Sequence, residues 1–101
     1  PGFPLYHVLC EYHGVEPRFY DLEASRGWEA DPVQLEQLCD ENTVGLLVNN
    51  PSNPCGAVYG RGHLEALMAA AGRLRVPVVA DEVYAKMVFG GERFVPCAEV
   101  A

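Results

Sequence analysis

At 101 residues, half of them hydrophobic and 21% charged, the chain has the composition of an ordered globular unit rather than a disordered segment. Its formal net charge of -7, with seven Lys plus Arg and no basic stripe, excludes a surface built to neutralise a phosphate backbone. No apolar run reaches the ~18 to 20 residues that a bilayer-spanning helix needs. No signal-peptide pattern is present either, so a cytoplasmic location is the expectation.

In chain order, Leu5, Val8, Leu9 and Tyr12 form an apolar helical stripe, and Gly14 follows as a left-handed stop. His7, Cys10 and His13 lie on this helix, but their spacing rotates them around its axis and no fourth ligand is in reach, so they read as ordinary helix-surface residues and not as a metal site. Val15 to Tyr20 reads as an edge or interrupted strand, because Pro17 removes a ladder donor. Asp21 to Ala30 has no period and reads as a surface connection with Trp28 as a packing anchor. Asp31 offers an N-cap, Pro32 the favoured first helical position and Gln34 a capping-box partner, for a helix running to about Asp40 with Leu35, Leu38 and Cys39 inward.

Val44 to Val48 is an apolar run of strand length that leads into Asn49 to Gly56, NNPSNPCG. After Gly60 and Gly62, the positions Leu64, Leu67, Met68, Ala71 and Leu74 recur at helical spacing. A second apolar run, Val76 to Ala80, leads into Asp81 to Tyr84, DEVY. Beyond it lie Met87 to Phe89, a Gly90-Gly91 turn and Phe94-Val95, which fit either a hairpin or a helical turn followed by a short strand. The cysteines Cys10, Cys39, Cys55 and Cys97 are irregularly spaced with no CxxC and read as reduced thiols.

The central strand, loop, helix, strand order predicts an α/β fold with two parallel strands joined by a right-handed crossover. Ligands of such sheets bind beyond the carboxyl ends of the strands, so Asn53 and Asp81 are expected to face one pocket. A parallel sheet needs more strands and helical cover than are found here. The chain opens at Pro1-Gly2-Phe3-Pro4 without a lead-in and stops in mid-pattern at Ala98 to Ala101, so it is read as an interior fragment.

Asn53 sits between Pro51 and Pro54, where a stiff backbone aims its amide at low entropic cost. A plain Asn/Pro turn has the same composition. Asp81, after four apolar residues, calls for a cationic partner, and a protonated ring nitrogen would serve. Tyr84 could turn its hydroxyl to the same ligand or simply pack. A magnesium site of a nucleotide hydrolase also puts acids at a strand end, but it needs a glycine-rich phosphate loop with lysine, and the chain has no GxxxxGK.

PGFPLY at Pro1 to Tyr6, NNPSNPCG at Asn49 to Gly56 and DEVYAKMVF at Asp81 to Phe89 together resemble the fold-type I pyridoxal-phosphate-dependent aminotransferases, most fully the tyrosine-specific branch. The resemblance covers essentially the whole chain. It implies a partial large, mostly parallel-sheet cofactor domain over residues 1–101, in a three-layer α/β/α arrangement. It further implies pyridoxal 5'-phosphate as cofactor, with Phe3 stacked on its ring, Asn53 and Tyr84 on its phenolic oxygen and Asp81 on its pyridine nitrogen. In several relatives the bond matching Asn53-Pro54 is cis.

The likeness has gaps. The family's Schiff-base lysine belongs to a motif well downstream of DxxY, and Lys86 does not match it, so no catalytic residue is assigned here. The groups that hold the cofactor phosphate and the substrate carboxylate are also unmatched. The resemblance therefore implies an inert fragment whose parent transaminates an aromatic amino acid, tyrosine first, with 2-oxoglutarate as acceptor, as a homodimer. Alternatives are an alanine or kynurenine transaminase, a lyase, or an inactive cofactor-binding regulatory module.

Overall fold

The α/β expectation holds. In the computed structural model, which describes residues 1–101, the elements run α1 (Leu5–Tyr12), β1 (Leu22–Glu23), β2 (Glu29–Ala30), α2 (Pro32–Leu38), β3 (Leu46–Asn49), α3 (Arg61–Leu74), β4 (Val78–Asp81) and α4 (Cys97–Val100). Helix α3 forms where the apolar spacing put it, and it buries Leu64, Leu67, Ala70 and Ala71. Full burial of a leucine of this kind contributes about 1.5–3 kcal/mol. The helix ends on Arg75 at φ 55°, with the Val76 amide returning to the Ala71 carbonyl at 3.0 Å. That bond occupies one of the carbonyls a helix end leaves open.

Strands β3 and β4 pair in parallel, with Leu46 opposite Val78 and Asn49 opposite Asp81. Both lie toward the C-terminal side of the runs expected at Val44 to Val48 and Val76 to Ala80. Val44 is 72% exposed, and Pro77 has no N–H to offer, so its carbonyl, which accepts from the Leu46 amide at 2.9 Å, begins the ladder. Asn49 and Asp81 thereby become the last residues of their strands rather than the first after them. Leu46 and Val48 point into a core shared with Leu35, Leu64, Leu67 and Ala71. Val79 on β4 stays exposed, so that strand is not covered on both sides.

Asp31 caps α2 as expected, accepting from the Val33 amide at 2.9 Å. Gln34 does not complete the capping box; it exchanges two hydrogen bonds of 2.7 Å with Asp21. The helix stops at Leu38, short of Asp40, because Asp40 is drawn into its own turn, accepting from Asn42 at 2.8 Å and bonding Thr43 at 2.9 Å.

Val15 to Tyr20 joins no ladder, contrary to the strand reading. The segment is held by side chains, Arg18 on the Leu38 carbonyl at 2.9 Å and the Tyr20 hydroxyl on the Leu47 carbonyl at 2.7 Å. Asp21 to Ala30 is more ordered than its lack of period implied. β1 and β2 form a two-residue antiparallel hairpin around a 3-10 turn, with Gly27 and Trp28 both at positive φ.

α1 ends as predicted, with Gly14 at φ 71° and the Val15 amide on the Cys10 carbonyl at 2.8 Å. Its stripe is not buried, however: Leu5, Val8, Leu9 and Tyr12 are between 47% and 83% exposed. On the same helix His7 lies edge-on to Phe19. Beyond Tyr84 neither a hairpin nor a final strand forms. Two turns lead instead to α4, where the buried Cys97 donates its amide to Glu82 at 2.7 Å and Glu99 pairs with Arg61 of α3.

Candidate functional site

The loop after β3 is fixed from within. Asn50 is fully buried and its Oδ1 accepts from the Tyr59 amide at 2.8 Å, tying the loop to the start of the crossover. The Ser52 amide bonds the Ala57 carbonyl at 3.0 Å, and the Gly56 amide bonds the Ser52 carbonyl at 2.9 Å. That closed turn carries Gly56 at φ 69°, a backbone state natural to glycine. The Asn50-Pro51 and Asn53-Pro54 bonds are both cis. Asn53 emerges half-buried, and its side-chain amide makes no hydrogen bond within the chain.

Asp81 stands beside this loop. The Asn50 amide reaches the Asp81 carbonyl at 3.0 Å and closes the strand pair. The side chain of Asn49 links Asp81 to Asn53, its Nδ2 donating to the Asp81 carbonyl at 3.2 Å and its Oδ1 accepting from the Asn53 backbone amide at 2.8 Å. The Asp81 carboxylate accepts from the Val83 amide at 3.2 Å on Oδ1 and from the Tyr6 hydroxyl at 2.5 Å on Oδ2.

Tyr6 was not among the residues singled out from the sequence. It is 75 positions from Asp81, and nothing local marks such a contact. Burial, and then its bond to the Asp81 carboxylate, raise the tyrosine pKa well above the ordinary range, so Tyr6 remains a proton donor at any physiological pH. Phe3, one turn of chain earlier, lies edge-on to Tyr6 with ring centroids 5.6 Å apart. Tyr84 is half-buried and close enough to Tyr6 to add to its raised pKa. Phe3, Asn53, Asp81 and Tyr84 therefore gather at one end of the strand pair, with Tyr6 and Asn49 as the links. Lys86 is exposed on the turn after Tyr84 and joins none of these bonds.

Together these residues form a shelf at the carboxyl ends of β3 and β4. Two concavities lie away from it: a polar one of about 250 Å³ beside the hairpin and α2, and an apolar one of about 510 Å³ along α3, bounded by Val76 and Val100. Chemically the shelf offers a buttressed carboxylate, an uncommitted amide, a phenol and an aromatic ring. A carboxylate has about four lone-pair positions, and only two are taken here, so Asp81 keeps capacity for a further donor.

The chain matches the model of the family described as aminotransferase class I and II over residues 1–101. It is 50% identical over 101 residues to tyrosine aminotransferase of Bos taurus, covering all of this chain and 23% of that protein. Identity is 43% over 101 residues to an S-alkyl-thiohydroximate lyase of Arabidopsis thaliana, of which the chain spans 22%. Among solved structures, the tyrosine aminotransferase from Leishmania infantum superposes with a TM-score of 0.95 at 34% identity, over 98% of this chain and 27% of that one.

Proposed function

The chain belongs to the class I and II aminotransferases, and from that premise we propose that the protein carrying it is a pyridoxal-phosphate-dependent transaminase of aromatic amino acids, with tyrosine as donor and 2-oxoglutarate as acceptor. The observation that carries the cofactor half of this reading is the meeting of Asp81 and Asn53 across the single amide of Asn49. The residues present fit a substituted pyridine ring. Asp81 would take the ring nitrogen, Asn53 and Tyr84 the phenolic oxygen, and Phe3 the ring face. When bound, this cofactor supplies an electron sink for the pair left as the substrate's α proton departs.

The chain's own part is binding and electrostatics. A carboxylate ~4 Å from a ring N–H⁺, at an effective dielectric of ~20, attracts it by about 4 kcal/mol before desolvation is deducted, and so holds the proton on the nitrogen. Tyr6 and the Val83 amide keep the Asp81 carboxylate from turning away. Asn53 and Tyr84 would donate toward negative charge on the ring oxygen. No proton transfer is assigned to Lys86.

Support for tyrosine comes from the names of the relatives, since the substrate side-chain contacts are not identified among these residues. The likeness to a lyase favours one second reading, carbon–sulfur cleavage on the same cofactor. A test on the full-length protein follows amino transfer from tyrosine to 2-oxoglutarate. Asp81→Ala is expected to lower turnover by at least ~100-fold, in line with loss of a group acting on the reacting ring. Lys86→Ala is expected to leave it unchanged. Equal activity in the two variants would sink the site assignment, and release of a thiol, pyruvate and ammonia from a cysteine S-conjugate, with no amino transfer from tyrosine, would favour the lyase.

A further inference from the structure

We propose that Asn49 is a positioning residue that sets the distance and angle between Asn53 and Asp81, and through them the electronic state of the ring they hold; this rests on the cofactor reading above. Asn49 and Asp81 are register partners at the ends of parallel strands, so their backbones are locked side by side. From that fixed point one planar amide makes two bonds in opposite senses, accepting from the Asn53 amide at 2.8 Å and donating to the Asp81 carbonyl at 3.2 Å.

The fold does not require this side chain. The bond from the Asn50 amide to the Asp81 carbonyl already completes the ladder, and the side chain of Asn50 already anchors the loop to Tyr59. What the Asn49 amide adds is a rigid link between the residue meant for the ring oxygen and the residue meant for the ring nitrogen. Supporting groups of this kind matter because a site must be held within a fraction of an ångström to act. The chemistry also selects the residue type. Leucine has the shape and neither bond, whereas aspartate keeps the acceptor toward Asn53 and loses the donor toward Asp81.

The experiment uses the full-length protein as wild type, Asn49→Leu and Asn49→Asp. Apoprotein is titrated with pyridoxal phosphate, and the visible absorbance of the loaded protein is followed against pH, with apoprotein melting temperature and steady-state kinetics alongside. In Asn49→Leu, affinity for pyridoxal phosphate is expected to weaken about 10-fold and kcat to fall more than KM rises. The absorbance midpoint should move upward by about half to one pH unit, the size of one neutral hydrogen bond. Asn49→Asp keeps the acceptor toward the Asn53 amide but sets a carboxylate against the Asp81 carbonyl, so its midpoint should move upward at least as far as that of Asn49→Leu.

If Asn49→Leu merely lowers the melting temperature while affinity and absorbance midpoint stay at wild-type values, Asn49 is structural and the proposal is overturned. Wild-type behaviour of Asn49→Leu in every measurement overturns it equally. Failure of the wild type itself to take up pyridoxal phosphate would instead remove the cofactor reading beneath it.

Discussion

Helices α3 and α1 carry apolar stripes of similar spacing but serve opposite roles. α3 buries its stripe between the strand pair and its neighbouring helices and supplies much of the core. α1 has no fully buried residue, yet it delivers the half-buried Tyr6 to the Asp81 carboxylate across 75 positions of sequence. One helix is held by packing and supports the site from below. The other is held largely by a polar contact and is part of the site. Amphipathic spacing alone does not separate the two roles, because it records which face is apolar and not what meets it.

The contrast is most sharply broken at Leu64, which is completely buried on α3. Leu64→Ala is expected to cost about 2–5 kcal/mol of unfolding free energy in a urea titration, the range for truncating a leucine in a core that cannot collapse around the gap. Tyr6→Phe, on α1, tests the opposite role. It keeps the ring against Phe3 and deletes only the donor to Asp81, so turnover of the full-length protein should drop about 10-fold while its urea midpoint moves little.

His63 sharpens the comparison through pH. It lies on α3 with a side chain only 7% exposed, edge-on to Tyr59, its Nε2 buried without a partner and its Nδ1 3.8 Å from Glu29. Burial lowers its pKa, and the nearby Glu29 only partly offsets this. The unfolded chain therefore binds a proton near the ordinary histidine value of ~6.5, while the folded chain binds it only at lower pH. Stability should be full above ~6.5 and decline as pH falls through the folded value. Urea midpoints measured down this range should fall in the wild type and fall less in His63→Leu, whereas a steeper decline in the variant would contradict the assignment. The smallest effect belongs to the exposed α1 stripe: Leu9→Gln should change the stability of the 101-residue chain by no more than ~0.5 kcal/mol.

Where chemistry was local, the sequence was readable. The Asp31 cap with Pro32, the Gly14 stop and the long α3 pattern each act within a turn or two and formed as read. The parallel pair was legible as well, because two apolar runs flanking one helix admit few topologies. Elements resting on distant partners were not. Val15 to Tyr20 has strand-like residues but no neighbour to pair with, and the Leu22–Ala30 hairpin is too short to show a period. The same division runs through the site. Asn53 and Asp81 could be placed together from the rule that strand ends converge, but Tyr6 is tied to Asp81 by a contact that no spacing encodes. Asn49 stood in plain view within the motif, yet its double bond-making depends on a register that only the fold supplies.

The Asn49–Asp81 register has a consequence for how this region can tolerate change. Since the two residues are set side by side by the ladder, their separation does not depend on how many residues lie on the route between them. The crossover through Tyr59 and α3 is in this respect a tether, free to lengthen at an exposed position such as the Gly60 cap of α3 without displacing either residue. One residue inserted between Val48 and Asn53, by contrast, would rotate the loop onto the wrong face. Length variation should therefore accumulate along the tether and be purged from the five positions that begin at Asn49.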